Sequence, residues 1–214
     1  MYRPKAFRVD DPGALAAFIA AHPFATLITV GESSIESTHL PMFLVESADG
    51  RRTLRGHIAR ANEQWRRTNT SLPALVVFRG DSHYISPNWY ATKRNGGRVV
   101  PTYDYVVVEA RGSVRFFDDP ASLLELLNEL TDMQQKSVGE NWRVEDAPTE
   151  YLKGQLRAIV GVDVEISELV GAFKLSQNHP QENIDGVLAA LERLGTPSSL
   201  SVAGLIRAHY GSAR

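Results

Sequence analysis

Residues 84–105 form the most distinctive stretch of the chain, and they read Tyr-Ile-Ser-Pro-Asn-Trp-Tyr-Ala-Thr-Lys-Arg-Asn-Gly-Gly-Arg-Val-Val-Pro-Thr-Tyr-Asp-Tyr. Tyrosine and tryptophan side chains stand there beside three cations, Lys93, Arg94 and Arg98, around the flexible pair Gly96-Gly97. Flat rings can stack on a flat ligand while fixed positive charges neutralise its anionic group. The stretch therefore predicts either a loop that binds a flat anionic ligand or a turn-rich loop whose rings pack on the core.

The composition around this stretch is that of a soluble globular protein. With 214 residues, 43% of them hydrophobic and 22% charged, we expect one large domain, or one domain with a small appendage. The absence of cysteine excludes disulfides and thiolate metal sites. No signal peptide and no apolar run of membrane-spanning length is recognisable, so we expect a cytoplasmic location. The net charge of −2 does not support nucleic-acid binding.

Upstream of the aromatic stretch, the sequence predicts an antiparallel sheet. Runs rich in β-branched residues separated by turn signals predict strands at 24–30, 37–45, 53–58 and 74–80. Pro41 cannot donate to a strand ladder, so we expect its strand to be at an edge or bulged at that point. A bulge would open Ser37, Thr38 and His39 to a ligand, whereas the alternative is polar residues on a wet sheet face.

A second candidate anion site follows the predicted strand at 53–58. We expect this strand to run directly into a short helix near Arg60, so that free N–H groups, Arg60 and the nearby His57 could hold an anion. A solvated arginine at a strand end is the alternative interpretation. The anion interpretation is favoured because Ser37 and Thr38 are expected on the neighbouring strand.

Downstream, the pattern predicts further strands and a set of amphipathic helices. We predict one long strand over 99–117 with a bend or bulge at Gly112, a half-buried strand over 159–166, and a last strand over 171–178 that exposes Lys174 and Gln177. The expected fold is mainly β (α+β), a closed barrel with flanking helices. Residues 1–178 would form the barrel domain, with inserted helices at about 119–158, and residues 179–214 a C-terminal helical extension packed on it.

Several common kinds of chemistry lack their sequence motifs. There is no Gly-x-Ser-x-Gly elbow, no Gly-x-Gly-x-x-Gly motif and no P-loop, and the six histidines are scattered, so a metal centre is not expected. The two C-terminal helices carry too few cations for a convincing helix-turn-helix. A barrel with an anion grip and an aromatic loop matches flavin mononucleotide (FMN), which needs phosphate ligands and a flat apolar slot.

The chain resembles the PaiB-type FMN-binding negative transcriptional regulators, a branch of the flavin split-barrel superfamily. The resemblance covers residues 1 to about 187 and rests on many short motifs in one order. These are Met1-Tyr2-Arg3-Pro4, His22-Pro23-Phe24-Ala25-Thr26-Leu27, Thr38-His39-Leu40-Pro41, Gly56-His57-Ile58-Ala59-Arg60-Ala61-Asn62, Gln64-Trp65, Tyr84-Ile85-Ser86-Pro87, Trp89-Tyr90, Lys93, Val100-Pro101-Thr102-Tyr103 and Lys174-Leu175-Ser176-Gln177-Asn178.

The resemblance implies an FMN-binding split β-barrel that forms a homodimer with FMN at the subunit interface. Phosphate ligands would come from adjacent barrel strands, and the second subunit would close over the flavin ring. The cofactor-binding residues implied for this chain are Ser37, Thr38, His39, His57, Arg60 and Asn62 on the first subunit, and Trp89, Tyr90, Lys93, Lys174 and Gln177 at the ring. DNA is a partner by family association only.

Three functions remain open at this point. The first is an FMN-binding regulator or flavin sensor. The second is a flavin-dependent oxidoreductase of the pyridoxamine-phosphate-oxidase-like class, for which the sequence offers no catalytic acid or base. The third is haem binding on the same fold, with His39, His57 or His179 as candidate ligands.

Overall fold

The computed structural model describes residues 1–94 and 96–211, and over this part of the chain it contains seven strands and six helices. The strands are β1 (Arg8–Val9), β2 (Phe24–Val30), β3 (Ile35–Glu46), β4 (Arg52–Ala59), β5 (Pro73–Ile85), β6 (Thr102–Phe117) and β7 (Ile159–Lys174). The helices are α1 (Pro12–Ala21), α2 (Gln64–Arg67), α3 (Pro120–Val138), α4 (Thr149–Arg157), α5 (Gln181–Leu194) and α6 (Pro197–Gly211).

All seven strands belong to one sheet with the order β1-β7-β4-β3-β2-β5-β6. The neighbours β1–β7, β2–β3, β2–β5, β3–β4 and β4–β7 pair in antiparallel fashion. Strand β7 also pairs with β6, so the hydrogen-bonded order returns to a strand already in the sheet. This is the connectivity of a barrel. The predicted mainly antiparallel barrel with flanking helices is confirmed.

The chain divides into two compact units. The strand-rich unit comprises residues 16–78 and 109–169, and the loop unit comprises residues 1–15, 79–108 and 170 onward. Helix α1 and the three long strands β5, β6 and β7 each contribute residues to both units. The predicted boundary after residue 178 divides the chain differently and stays a prediction.

In the strand-rich unit, helix α3 covers one part of the core. Asp119 caps the helix, since its Oδ1 accepts a hydrogen bond from the Ser122 amide at 2.9 Å, and Pro120 occupies the first turn. The leucines Leu123, Leu126 and Leu130 form the buried face of this helix. It packs with two phenylalanines and a leucine of α4 in a cluster of Phe43, Phe117, Leu123, Leu126, Leu130 and Leu156.

Strand β3 explains how the sheet tolerates Pro41. Residues 35–41 pair with β2 in unbroken register from Ile35↔Val30 to Pro41↔Phe24, and pairing with β4 begins only at Met42↔Gly56. The predicted bulge at Pro41 is therefore not present. Proline lacks the N–H group that a strand ladder requires. Pro41 is tolerated because the β3–β4 ladder begins only after it, at Met42, so the first half of β3 is an edge on that side.

Strand β7 differs from the prediction, whereas the bend or bulge predicted at Gly112 of β6 stays a prediction. Gly112 lies where the backbones approach so closely that a Cβ there would be 1.9 Å from the Glu165 carbonyl oxygen, which explains the glycine inside a long strand. The two predicted strands over 159–166 and 171–178 are one strand, β7, that ends at Lys174.

The face of β7 that was predicted to be exposed is partly buried. Asp163 is only 8% exposed, because the Nε of Arg55 at 3.2 Å and a terminal nitrogen of Arg115 at 2.6 Å bind its two oxygens. Asp163 therefore stays paired at the sheet face rather than in solvent.

In the loop unit, helix α5 packs on the aromatic stretch. Asn183 of α5 is 2% exposed, and its side chain bonds the Thr92 amide at 3.0 Å and the Thr92 hydroxyl at 2.9 Å. Tyr90 is 2% exposed and belongs to the core of this unit. No helix within the described residues is long and apolar enough to cross a membrane.

Candidate functional site

A buried polar network in the strand-rich unit contains two of the predicted phosphate ligands. The Thr38 hydroxyl donates to the Gln64 side-chain oxygen and accepts from Asn62 Nδ2 at 2.7 Å. The Gln64 amide nitrogen donates to the Thr29 hydroxyl at 3.0 Å, and Thr29 lies 2.7 Å from the Thr68 hydroxyl. These five residues are called the Gln64 network below. It joins β2, β3 and the segment around α2, and it brings together Thr38 and Asn62, whose role as phosphate ligands stays a prediction.

Arg60 does not stand at a helix N-terminus, and that prediction is wrong. Residues 60–61 form a turn after β4, and α2 begins at Gln64, whose amide donates to Asn62 Oδ1 at 3.0 Å. The Asn62 side chain thus accepts from the backbone N–H of the first helical residue, and the helix can begin at Gln64 rather than at Arg60.

The Arg60 guanidinium binds three acceptors of the same unit. It donates to the backbone oxygens of Arg157 at 2.7 Å and Ile159 at 3.1 Å, and to Asp118 Oδ2 at 2.9 Å. A phosphate would have to share or replace these acceptors, so Arg60 as a phosphate ligand stays a prediction.

Ser37 and His39 point to the opposite face of β3 from Thr38, because successive strand residues alternate between faces. Both are exposed, and His39 Nδ1 lies 2.9 Å from the Thr26 hydroxyl on β2. The structure therefore divides the predicted phosphate ligands of β3 between an outer sheet face, with Ser37 and His39, and the inner Gln64 network, with Thr38.

His57 lies on β4 opposite Gly161 of β7 and has an orphaned polar atom. Its buried Nδ1 has no hydrogen-bond partner among the described residues. Burial lowers the pKa of His57 below its usual value, so the neutral imidazole is favoured. A neutral ring can donate to a ligand from one nitrogen only.

In the loop unit, the residues predicted to contact the flavin ring have different environments. Trp89 is half-buried, and Lys93 is exposed with its ammonium on Asn88 Oδ1. Tyr90 is buried and stacks on His179, with ring centroids 4.5 Å apart and an interplanar angle of 24°. Tyr90 therefore follows the core-packing alternative, whereas Trp89 and Lys93 retain accessible surface.

The Lys174–Asn178 motif forms the turn after β7. Lys174 donates to the Thr102 hydroxyl and to the Tyr103 backbone oxygen, the latter at 2.7 Å. Gln177 uses both ends of its amide inside the turn, donating to Phe173 O at 2.5 Å and accepting from the Leu175 amide at 2.6 Å. Gln177 thus stabilises the turn, and its contact with a flavin stays a prediction.

One residue beside this turn was missed by the sequence reasoning. Asp104 is fully buried, and its Oδ2 accepts from the Ser176 hydroxyl at 2.7 Å, while its Oδ1 has no partner among the described residues. Burial raises the pKa of Asp104, with the Ser176 hydrogen bond and the Lys174 charge opposing the shift. The sequence could have indicated this burial, because Asp104 lies two and four positions before Val106 and Val108 and so points to the same, buried face of the strand.

The chemistry of these side chains fits a phosphorylated flavin. Exposed hydroxyl and imidazole groups at Ser37 and His39, and the orphaned nitrogen of His57, can serve a phosphate, while the half-buried Trp89 offers a flat ring. No cluster of His, Cys, Asp or Glu side chains with metal-binding geometry occurs among the residues that the structure describes.

Comparison with known proteins agrees with this chemistry. Residues 1–168 match the family model described as "Putative FMN-binding domain". The chain is 30% identical to the protease synthase and sporulation protein PAI 2 of Bacillus subtilis, over 96% of each chain. It is also 33% identical to an uncharacterized protein of Emericella nidulans, over 90% of this chain and 91% of that protein.

Solved structures share the fold at low sequence identity. The flavocytochrome Anf3 of Azotobacter vinelandii has a TM-score of 0.56 at 13% identity, with 81% of this chain and 72% of that chain covered. The FAD and heme binding protein of Mycobacterium smegmatis also has a TM-score of 0.56 at 13% identity, with 83% and 78% covered.

The chain belongs to the FMN-binding family to which that domain model refers. The similarity to the Bacillus subtilis relative confirms the predicted resemblance to the PaiB-type proteins. FMN as the family cofactor and the split-barrel fold are confirmed with it.

Proposed function

We propose that the protein is a homodimeric FMN-binding regulator or flavin sensor that holds FMN at the interface between its two subunits. The observation that carries this proposal is an exposed apolar face of the sheet. On β2 and β3 the outward residues include Phe24 at 68% exposure, Ile35 at 76% and Val30 at 38%. An exposed apolar face of this kind marks an interaction surface.

The register of the strands extends this face across three strands. Val30 pairs with Ile35 and Phe24 with Pro41, and the half-buried Ile28 pairs with Leu75 of β5. This outer sheet face is defined here by Phe24, Thr26, Ile28, Val30, Ile35, Ser37, His39, Leu75 and Val77. A second copy of the same face would cover the apolar residues, as an isologous interface requires.

The predicted phosphate ligands Ser37 and His39 lie on this outer sheet face, which supports a cofactor at the seam. In the proposed arrangement the phosphate is held by Ser37, Thr38, His39, His57, Arg60 and Asn62 of one subunit. The ring is covered by Trp89, Lys93, Lys174 and Gln177 of the other subunit, and the buried Tyr90 supports this surface from the core. When bound, FMN would supply redox or sensory chemistry that these side chains do not have.

A regulatory role is supported by the Bacillus subtilis relative, the protease synthase and sporulation protein PAI 2, whose name refers to sporulation. Direct DNA contact is not part of the proposal, because the net charge of −2 gives no general attraction to phosphate. A cytoplasmic location is proposed as well, and the absence of cysteine supports it.

A flavin-dependent oxidoreductase is the second candidate function, and the buried Asp104 favours it. A carboxyl group whose pKa is raised by burial keeps its proton to higher pH than an ordinary aspartate does, and it can donate that proton. Rapid-mixing measurements distinguish the two functions. Reduction of bound FMN by NADPH at a rate that sustains turnover supports an enzyme, and slow reduction without turnover supports a sensor.

The phosphate grip is tested by comparing Arg60→Ala with the matched variant Arg94→Ala in an FMN titration followed by flavin fluorescence. We expect Arg60→Ala to weaken FMN binding by about tenfold or more and Arg94→Ala to leave it unchanged, since a hydrogen bond to a charged group contributes about 1.5–3 kcal/mol. Urea unfolding of both variants controls for the Arg60 contacts with Arg157 and Ile159. Equal FMN affinities would show that Arg60 is not a phosphate ligand.

A further inference from the structure

The loop unit contains a small cleft with an unusual floor. The cleft has a volume of about 190 Å³ and is lined by residues that include Tyr90, Arg98, Thr102, Asp104, Lys174 and His179. Tyr90 is 2% exposed and Asp104 is 0% exposed, so the deepest lining groups are polar and almost fully removed from solvent.

Two polar atoms of these floor residues have no partner among the described residues. They are the Tyr90 hydroxyl oxygen and Asp104 Oδ1, and both are buried. Buried polar atoms are nearly always hydrogen-bonded in folded proteins, because an unsatisfied group loses its hydration without compensation. Two such atoms in the lining of one cleft indicate that a ligand with hydrogen-bonding groups completes the floor.

Several other polar groups of the cleft are already bound by the protein itself. Ser176 donates to Asp104 Oδ2, and the Lys174 ammonium is held by Thr102 and the Tyr103 carbonyl. The Tyr90 ring is fixed by its stack on His179. The floor is therefore rigid before any ligand arrives, which lowers the entropy lost on binding.

The rim supplies an available positive charge. Arg98 lines the cleft and is exposed, and within the described residues its guanidinium has no hydrogen bond or ion pair. A guanidinium suits a carboxylate because it offers parallel N–H donors. Since one water occupies about 30 Å³ of liquid, the cleft has room for a molecule the size of an amino acid and not for a flavin.

We propose that this cleft binds a small carboxylate that carries a hydroxyl or amino group. The carboxylate would lie on Arg98 at the rim, and the hydroxyl or amino group would donate to Asp104 Oδ1 and contact the Tyr90 hydroxyl. This site does not rest on the proposed function, since the two unpartnered atoms and the arginine belong to the loop unit of one chain.

The test is calorimetric titration of the full chain with glycolate, glycine and acetate. We expect glycolate or glycine to bind at least about tenfold more tightly than acetate, because acetate offers no donor to Asp104. Which of the two binds more tightly distinguishes the hydroxyl from the amino ligand. Arg98→Ala should weaken binding by about tenfold or more, with the exposed Arg94→Ala as the matched control.

Two floor variants make the test specific. In Asp104→Asn the amide oxygen can keep the Ser176 hydrogen bond, but an N–H group then faces the ligand. The advantage of glycine over acetate should therefore disappear, since an ammonium group cannot accept a hydrogen bond. Tyr90→Phe keeps the stack on His179 and removes only the hydroxyl, so it replaces Asp104→Asn as the test if that variant does not fold. We expect Tyr90→Phe to reduce the affinity advantage of glycine or glycolate over acetate.

Three outcomes would overturn the proposal. They are no binding of any of the three probes to the wild-type chain, an advantage over acetate that survives both floor variants, and equal affinities of Arg98→Ala and wild type. The titration is repeated with FMN-loaded protein. Displacement of the probe by FMN would assign the cleft to the flavin site and overturn a separate ligand site, whereas unchanged affinity supports it.

Discussion

Asp104 is a buried acid whose ionisation reduces the stability of the fold. It is fully buried, only one of its two oxygens is hydrogen-bonded, and burial raises its pKa. A group whose pKa is higher in the folded than in the unfolded chain favours folding only while it is protonated. Stability from this group is therefore full below the ordinary aspartate pKa and is lost as the pH rises through the raised pKa.

Replacing Asp104 with asparagine should remove this pH dependence. We expect Asp104→Asn and wild type to unfold at similar urea concentrations in acid, and the variant to become the more stable of the two as the pH rises. The difference should stop growing above the folded-state pKa. Urea unfolding across the pH range measures it, and a difference that is constant with pH would contradict the buried-acid assignment.

Gln64 is a neutral buried group that stabilises the fold, in contrast to Asp104. It is 2% exposed and joins Thr38, Thr29 and α2 in the Gln64 network. We expect Gln64→Leu to lower the free energy of unfolding by about 2–3 kcal/mol, because the hydroxyls left behind lose their partners in a buried site. Gln155→Leu, at an exposed position of α4, is the matched control and should change it by less than about 0.5 kcal/mol. Equal effects in urea unfolding would contradict the role of the network.

The environments of the predicted site residues depend on contacts that local patterns do not contain. Thr38 and Asn62 are hydrogen-bonded to each other, and it was the resemblance to a family that placed both at one site. The Arg60 contacts with residues 157 and 159 were not predictable, since they lie about a hundred positions away in the chain. Asp104 could have been found from its parity in β6, but an isolated acid in an aromatic stretch reads equally well as a loop residue.

At the scale of elements, helices were predicted best and the end of the barrel least. The capping Asp119 and the terminal Gly195 lie where the local rules place them. Strand β7 was divided in two because the clean alternation of apolar and polar residues ends at Ile166, and residues 167–170 were left between two predicted strands. The strand continues there, and the Ser167 hydroxyl donates to the Arg111 carbonyl of β6 at 3.1 Å. This long-range pairing has no local signature.

The contact of β6 with β7 gives a prediction at this scale. A Cβ at Gly112 would lie 1.9 Å from the Glu165 carbonyl oxygen, so Gly112→Ala should force the strands apart and destabilise the fold by about 2 kcal/mol or more. Gly154→Ala is the matched control, because a Cβ on the helical Gly154 would meet no atom within 4 Å, and this variant should gain about 0.5–1 kcal/mol. Thermal unfolding measures the change in stability of both variants. If both became more stable, or both less stable, the close approach of β6 and β7 at Gly112 would be contradicted.

At the scale of the whole molecule, the strand order is the feature that local patterns could not supply. The pairs between β4 and β7 join residues on the order of a hundred positions apart, such as Gly56 with Val162. The motifs shared with the PaiB-type proteins supplied this information instead, because their order along the chain identifies a family whose fold is a split barrel. The outer sheet face was likewise outside local prediction, since exposure depends on which strands are neighbours.

The central claim is that two copies of this chain meet at the outer sheet face and hold FMN there. Ile35→Glu tests it because Ile35 is 76% exposed, so a charge there should spare the fold of the subunit and disrupt the dimer. Val138→Glu, at a 68% exposed position of α3 outside this face, is the matched control.

The most direct measurement is analytical ultracentrifugation with FMN, in which the visible flavin absorbance reports which species carries the cofactor. The proposal predicts that flavin sediments with a dimer of wild type and of Val138→Glu, and that Ile35→Glu sediments as a monomer without flavin. Flavin that sediments with a monomer, or a wild-type dimer that leaves all flavin unbound, would contradict it.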